Sequence, residues 1–173
     1  NTWQKYLGRV VAPSHFYRGK LIGWGWPEGQ GTCVPNVVDV NAFAPAYEPG
    51  GYVLFAGRLA PEKGVATLAR AAAQAGVKLR VAGTGPLEEE LKAMPGADRI
   101  EWLGFCSGDA LWNQIKGARA LVLPSEWYEN APMSVLEAFA SGKPVVGADI
   151  GGIPEMITPE IGWVFPSCHV DAL

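Results

Sequence analysis

The chain has 173 residues, of which 49% are hydrophobic and 18% charged. That balance suits a folded, well-buried α/β protein and excludes a disordered or fibrous one. A net charge of −3 gives no general attraction for nucleic acid or an anionic membrane, so an anionic ligand would have to be held by a few placed cations.

The order of elements begins with a strand in "RVVAPS" (9–14), a helical stretch in "HFYRGKLIGWG" (15–25) and a short strand in "GTCVPN" (31–36). "NVVDVNAFAPAYEPGG" (36–51) is a turn- and proline-rich connection, and a domain boundary is expected near Pro45–Gly51. "YVLFAGRL" (52–59) then reads as a strand, and Val65, Leu68, Ala69 and Ala72 mark one face of a helix after Pro61. "VKLRVAG" (77–83) is a strand, "PLEEELKAM" (86–94) a helix stopped by Pro95-Gly96, and "IEWLGF" (100–105) a strand. A helix follows in "DALWNQIKGA" (109–118) with Asp109 as its expected N-cap. "ALVLP" (120–124) is a strand, and "PMSVLEAFASG" (132–142) a helix with Asn130 as N-cap, Pro132 in its first turn and Gly142 at its end. "KPVVGAD" (143–149) is a strand, "GIPEMI" a helical turn, "GWVF" (162–165) an edge strand and "VDAL" the start of a helix. The chain opens at Asn1 and closes on that helix start, so an excised piece of a longer protein is expected.

Repeated β–α alternation with short connections implies a doubly wound parallel sheet with right-handed crossovers, a Rossmann-like fold. Ligands of such sheets bind beyond the carboxyl ends of the strands, at the switch point of the topology. The loops Gly57-Arg58, Gly83-Thr84-Gly85, Gly104-Phe105 and Ser125–Glu129 all fall there. "GRLAPEKG" contains neither G-x-G-x-x-G nor the P-loop pattern. Arg58 and Lys63 fit either an anion site at a strand-to-helix turn or a solvated surface. The glycines of "GTGP" and "GGIPE" either let a backbone approach a ligand or only turn the chain. Trp102 and Phe105 suit core packing or a stacked base. His15 is read as a surface or boundary residue.

Three cysteines without a C-x-x-C pair, and two histidines far apart, argue against a disulfide framework and against a metal site. They fit a reducing, cytoplasmic setting. No signal peptide is evident, and no apolar run approaches the length of a membrane span.

Glu129 and Glu137 carry the main question. On the expected helix Met133, Glu137 and Ala140 share a stripe that is otherwise apolar, and an ionised carboxylate on such a stripe needs a partner. Helix rise places Glu137 about 8 Å beyond the helix start. Two acceptors so separated could grip two sets of sugar hydroxyls; alternatively Glu137 pairs with a nearby cation and Glu129 faces solvent.

"FAGRLAPEKGVATLARA", "LRVAGTGPLEEEL", "IEWLGF" and "LVLPSEWYENAPMSVLEAFASGKPVVGADIGGIPEMI…GWVF" together resemble the donor-binding domain of glycosyltransferase family 4. "VAPSHFYRGKLI…VPNVVDVNAFAP" resembles that family's crossing into the domain. The resemblance implies the C-terminal half of a GT-B fold, with residues 1–48 a remnant of the acceptor lobe and crossing, and residues 49–173 the donor-binding domain, truncated at its end. It also implies transfer of a sugar from a UDP-, GDP- or ADP-sugar, with retention and with no cofactor or metal. The acceptor would be glycan or lipid-linked and held by the missing lobe, through which alone the protein would touch a membrane, as in polysaccharide biosynthesis.

By position, Arg58 and Lys63 would hold the donor diphosphate, with Gly57, Gly83 and Gly85 beside them. Glu129 would bind the transferred sugar, and Glu137 the ribose hydroxyls. Amides around Met133, Ser134 and Val135 would lie near the phosphates, and Gly104-Phe105 near the base. Arg58, Lys63 and Glu129 would be the catalytic group. Two departures stand out: Glu129-Asn130-Ala131-Pro132 replaces the commoner E-G-F-G, and "PNVVD" replaces P-N-G-V-D. Competing readings are a GT-B-fold epimerase or phosphorylase, and a non-catalytic nucleotide-binding module. The fragment alone is expected to bind donor without turnover.

Overall fold

The computed structural model describes residues 4–173, so the first three residues of the 1–48 segment lie outside the described part. Strands β1 (Val10–Ala12) and β2 (Gly31–Cys33) pair in parallel on either side of helix α1 (His15–Gly23). Ser14 stands extended before α1, and its Oγ accepts the Tyr17 N–H at 3.1 Å. A carboxylate from far along the chain completes the cap. Glu155 accepts the His15 N–H at 2.7 Å and the Phe16 N–H at 2.5 Å, and a negative charge is favoured at a helix N-terminus.

The main sheet is built from β3 (Val53–Ala56), β4 (Leu79–Ala82), β5 (Ile100–Gly104), β6 (Ala120–Leu123), β7 (Val145–Ala148) and β8 (Gly162–Phe165). All its pairings are parallel, in the order β5-β4-β3-β6-β7-β8. The alternation read from sequence therefore gives the expected α/β sheet, with β8 at an edge. Neighbouring residues on a strand point to opposite faces, and both faces are covered. Leu54 and Leu121 pack with Ile115, Val135, Ala138 and Val145 on one side. Phe55 and Val122 pack with Val65, Leu68 and Leu91 on the other. The helices that supply these layers are α2 (Val65–Ala75), α3 (Glu88–Lys92), α4 (Gly108–Gly117) and α5 (Met133–Ala140).

Both expected N-caps are displaced. Helix α4 starts at Gly108 with Ser107 in the cap position, so Asp109 lies inside its first turn. Helix α5 starts at Met133 with Pro132 itself in the cap position and no side-chain cap. Asn130 is two residues too early to reach the N–H groups of that turn. The helix ends as expected, with Gly142 at φ +74° and its N–H on the Phe139 carbonyl at 2.9 Å. Helix α3 is shorter than expected, and "VDAL" forms only a 3-10 turn at Val170–Ala172.

The segment before the expected boundary is tied to the sheet domain. The Ala46 N–H bonds to the Ser141 carbonyl at 3.0 Å, and the buried Lys143 ammonium to the Glu48 carbonyl at 2.7 Å. Asn36 Nδ2 donates to the Ala131 carbonyl at 2.8 Å. Among the described residues no helix is long and apolar enough to cross a membrane.

Candidate functional site

The chain builds β3, β4 and β5 outward to one side, then returns to place β6 against the other side of β3. The loops after β3 and β6 part at this switch, where a crevice is expected. The turn after β3 is locked onto the turn after β4. Gly57 N–H bonds to the Ala82 carbonyl and Leu59 N–H to the Thr84 carbonyl, both at 2.9 Å. Gly83 has φ +149°, and a Cβ there would lie 1.8 Å from the Gly57 oxygen. Only glycine admits that approach. A Cβ at Gly85 would lie 2.3 Å from the Leu59 oxygen. The glycines of "GTGP" therefore bring two loops together, and Gly83 alone of the pair reaches the cleft.

That cleft has a volume of about 430 Å³ and is walled by Gly57, Arg58, Gly83, Thr84, Phe105, Cys106, Leu111, Ser134 and Glu137, among others. Phe105 stands 76% exposed at its mouth. Trp102 takes the core role instead, packed in the second layer with its Nε1–H on the Ala97 carbonyl at 3.2 Å. The face of α5 turned to the core carries Val135 and Ala138, both fully buried. The stripe of Met133 and Glu137 is thus rotated off the core, with Met133 exposed and Glu137 half-buried in the cleft wall. Val135 contributes its side chain to the core and its N–H to the Pro132 carbonyl at 3.2 Å. Met133 and Ser134 are left as the first-turn donors.

The Glu137 carbonyl takes the Ser141 N–H at 3.0 Å, but its carboxylate has no hydrogen bond or ion pair to any described residue. Burial pushes its carboxyl pKa up from the ordinary value of 4.5, because removing the carboxylate from water disfavours its charged form. The structural pairing considered from sequence is therefore absent, and the carboxylate faces the cleft unpartnered.

The two cations expected at the diphosphate are both neutralised. Arg58 pairs with Glu62, four residues on. A backbone N–H, the Arg58 guanidinium and the Lys63 charge hold the Glu62 carboxyl below its usual range. Lys63 lies 2.5 Å from Glu129 Oε1, which also accepts the Ser125 hydroxyl at 3.3 Å. Lys63 and Glu129 are thus brought together beside the cleft but are not part of its wall.

The "GGIPE" glycines serve the Glu129 loop. Gly152 N–H bonds to the Glu129 carbonyl at 2.7 Å, and a Cβ at Gly152 would lie 1.8 Å from the Asn130 oxygen. Gly104 has φ +67° and open space around it, so it turns the chain out of β5 toward Phe105.

Sequence reasoning named Ser125 only as the start of a loop at this edge, and passed over Glu62, Cys106 and Leu111. Ser125 is 3% exposed beside Glu129, and a small polar residue directly after a buried strand was its only signal. Leu111 reads from sequence as plain helix core. Among the described residues no group of three His, Cys, Asp or Glu side chains is placed to hold a metal ion.

Residues 41–173 match the model of the family described as glycosyl transferases group 1. A GDP-mannose-dependent alpha-mannosyltransferase of Mycobacterium tuberculosis is 35% identical over 173 residues, covering 91% of this chain and 44% of its own length. An uncharacterised glycosyltransferase of Methanocaldococcus jannaschii is 36% identical over 124 residues, covering 66% of this chain and 32% of its own. Among solved structures, sucrose-phosphate synthase from Thermosynechococcus elongatus superposes with a TM-score of 0.84 at 25% identity, covering 98% of this chain and 48% of that one. Anabaena HepE in complex with UDP gives 0.83 at 21% identity, covering 95% and 51%, a likeness of fold alone. The chain spans about half, or less, of the length of these relatives. On its sequence match and its parallel six-stranded architecture, the chain belongs to the glycosyl transferases group 1 family and has the α/β fold of GT-B glycosyltransferases.

Proposed function

We propose that residues 49–173 are the donor-binding domain of a retaining, metal-independent family 4 glycosyltransferase, and that residues 1–48 lead in from its acceptor lobe. The observation that carries this reading is the unpartnered, half-buried Glu137 in a cleft at the switch point, opposite Arg58 and beside the first turn of α5. A carboxylate held there by the fold, at a cost in solvation, suits a ligand that donates hydroxyl hydrogen bonds. The ribose of a nucleotide does so.

In this reading the donor is a UDP-, GDP- or ADP-sugar. A UDP-bound structural neighbour and a GDP-mannose-dependent relative support a nucleotide donor. Phe105 offers its exposed ring to the base, and Glu137 accepts from the ribose. The amides of Met133 and Ser134 meet the phosphates at the N-terminus of α5, where the helix dipole favours anions. Arg58 and Lys63 exchange their carboxylate partners for the diphosphate and offset the charge that grows on it as it leaves. Glu129, released from Lys63, accepts hydroxyls of the transferred sugar. The acceptor is glycan or lipid-linked, the protein works in the cytoplasm, and the 173-residue chain holds donor without transferring it, since most of the lobe that would complete the acceptor's attack geometry lies outside these residues.

A thermal-shift series with UDP, GDP and ADP tests the reading. At least one of them should raise the melting temperature progressively with concentration, equally with and without EDTA. No shift with any of the three, or a shift only with added Mg²⁺ or Mn²⁺, would contradict it.

A further inference from the structure

A second hollow, of about 560 Å³, opens beside Glu62, between the turn after β3 and the loop after β6. Its walls are Pro61 and Glu62 on one side and Glu126 and Trp127 on the other. The two sides are fixed to each other. The Glu126 N–H bonds to the Glu62 carbonyl at 3.0 Å, and Glu126 Oε1 accepts the Thr67 hydroxyl at 2.6 Å. Glu126 Oε2 has no bond to any described residue.

Trp127 is 67% exposed, an unusual state for the largest apolar side chain. It is nevertheless supported from behind. Its ring lies 6.0 Å from that of Tyr128, which in turn sits 5.1 Å from Phe16 and under the Lys20 ammonium at 4.6 Å. A largely exposed indole therefore edges a hollow that is also lined by two glutamates. This chemistry suits a pyranose. The C–H face of the ring stacks on the indole, and vicinal hydroxyls donate to carboxylate oxygens. A purely apolar partner would leave Glu126 Oε2 without a donor.

The position gives the hollow a role. Glu62 immediately precedes Lys63, and Glu126 immediately follows Ser125. Lys63 and Ser125 are the two groups that hold Glu129 Oε1. We propose that Trp127, with Glu62 and Glu126, forms a carbohydrate subsite that seats the acceptor's sugar ring next to Glu129. This deepens the proposed function and rests on it. Trp127 supplies the platform and the carboxylates set which hydroxyl pattern is taken.

The test is done by NMR on the 173-residue chain, reading the Trp127 indole N–H, which is assigned as the resonance lost in W127F. Methyl α-mannopyranoside, methyl α-glucopyranoside and methyl α-N-acetylglucosaminide are titrated into the millimolar range, with and without saturating UDP or GDP. At least one glycoside should move that resonance, and should still do so when nucleotide is bound. In W127A and W127F, where that resonance is gone, glycoside binding is read from saturation transfer to the glycoside's own signals. W127A should weaken the glycoside roughly fivefold to tenfold, the scale of one lost stacking contact, W127F should retain it, and all three proteins should bind nucleotide equally. An indole that none of the glycosides moves would overturn the subsite, as would glycoside binding unchanged in W127A. A glycoside displaced by nucleotide would also overturn it, because the sugar would then be in the donor cleft. Loss of nucleotide binding in the wild type would instead strike the donor reading.

Discussion

Glu137 is the residue whose burial costs the fold most plainly, because its carboxylate has no protein partner to offset that cost. Burial raises its pKa above 4.5, so the folded chain keeps this proton to a higher pH than the unfolded chain does. The folded state then binds more protons across the window between the two values, and stability falls as pH rises through it. Glutamine removes that titration while keeping size. In the absence of ligand, E137Q should gain stability relative to wild type on going from about pH 4 to about pH 7, as read by urea melts at both ends. A parallel pH response in the two proteins would show that burial costs Glu137 nothing. At this scale the sequence was informative: a carboxylate in an otherwise apolar helical pattern is a local conflict, and such conflicts collect at functional sites. The pairing of Arg58 with Glu62 and of Lys63 with Glu129 was not legible. Which anion satisfies a cation depends on loop conformation and on hydrogen bonds that residue spacing does not encode.

Among the elements, the loops rather than the helices set the site. The strands were readable because each is a short apolar run between turn residues, and alternation along Leu54-Phe55 or Leu121-Val122 feeds two core layers. The N-caps were not, because Ser107, Gly108 and Asp109 are all acceptable near a helix start and propensity separates them weakly. Nor was the capping of α1 by Glu155, which lies 140 residues from His15 along the chain. The glycines were read as turns or ligand contacts, whereas their main use here is close packing of one loop on another. This gives a prediction. G152A would set a Cβ 1.8 Å from the Asn130 oxygen, forcing the Glu129 loop outward, and should cost about 1–3 kcal/mol by urea unfolding. G51A, with nothing within 4 Å, should stay within about 0.5 kcal/mol of wild type. Equal costs for both would mean that the loop contact is not tight in solution.

For the molecule as a whole, the order β5-β4-β3-β6-β7-β8 matters more than any motif, because it fixes where a crevice can exist. Alternating patterns announced the parallel sheet and put the loops of Gly57-Arg58, Gly83 and Phe105 at one edge; Ser134 and Glu137, which line the same cleft, were assigned only through the family resemblance. The second hollow at Trp127 was invisible, since an exposed tryptophan and a buried one look alike in sequence. The central claim is a division of labour at the donor, with Glu137 on the nucleotide and Glu129 on the sugar. Titration calorimetry of E137Q and E129Q, each with the bare nucleotide diphosphate and with its sugar, tests this directly. E137Q should weaken both ligands by roughly 10- to 150-fold, the worth of charge-assisted hydrogen bonds of about 1.5–3 kcal/mol. E129Q should weaken the nucleotide sugar and spare the bare nucleotide. Equal losses of the bare nucleotide in both variants, or no loss of either ligand in E137Q, would contradict the account.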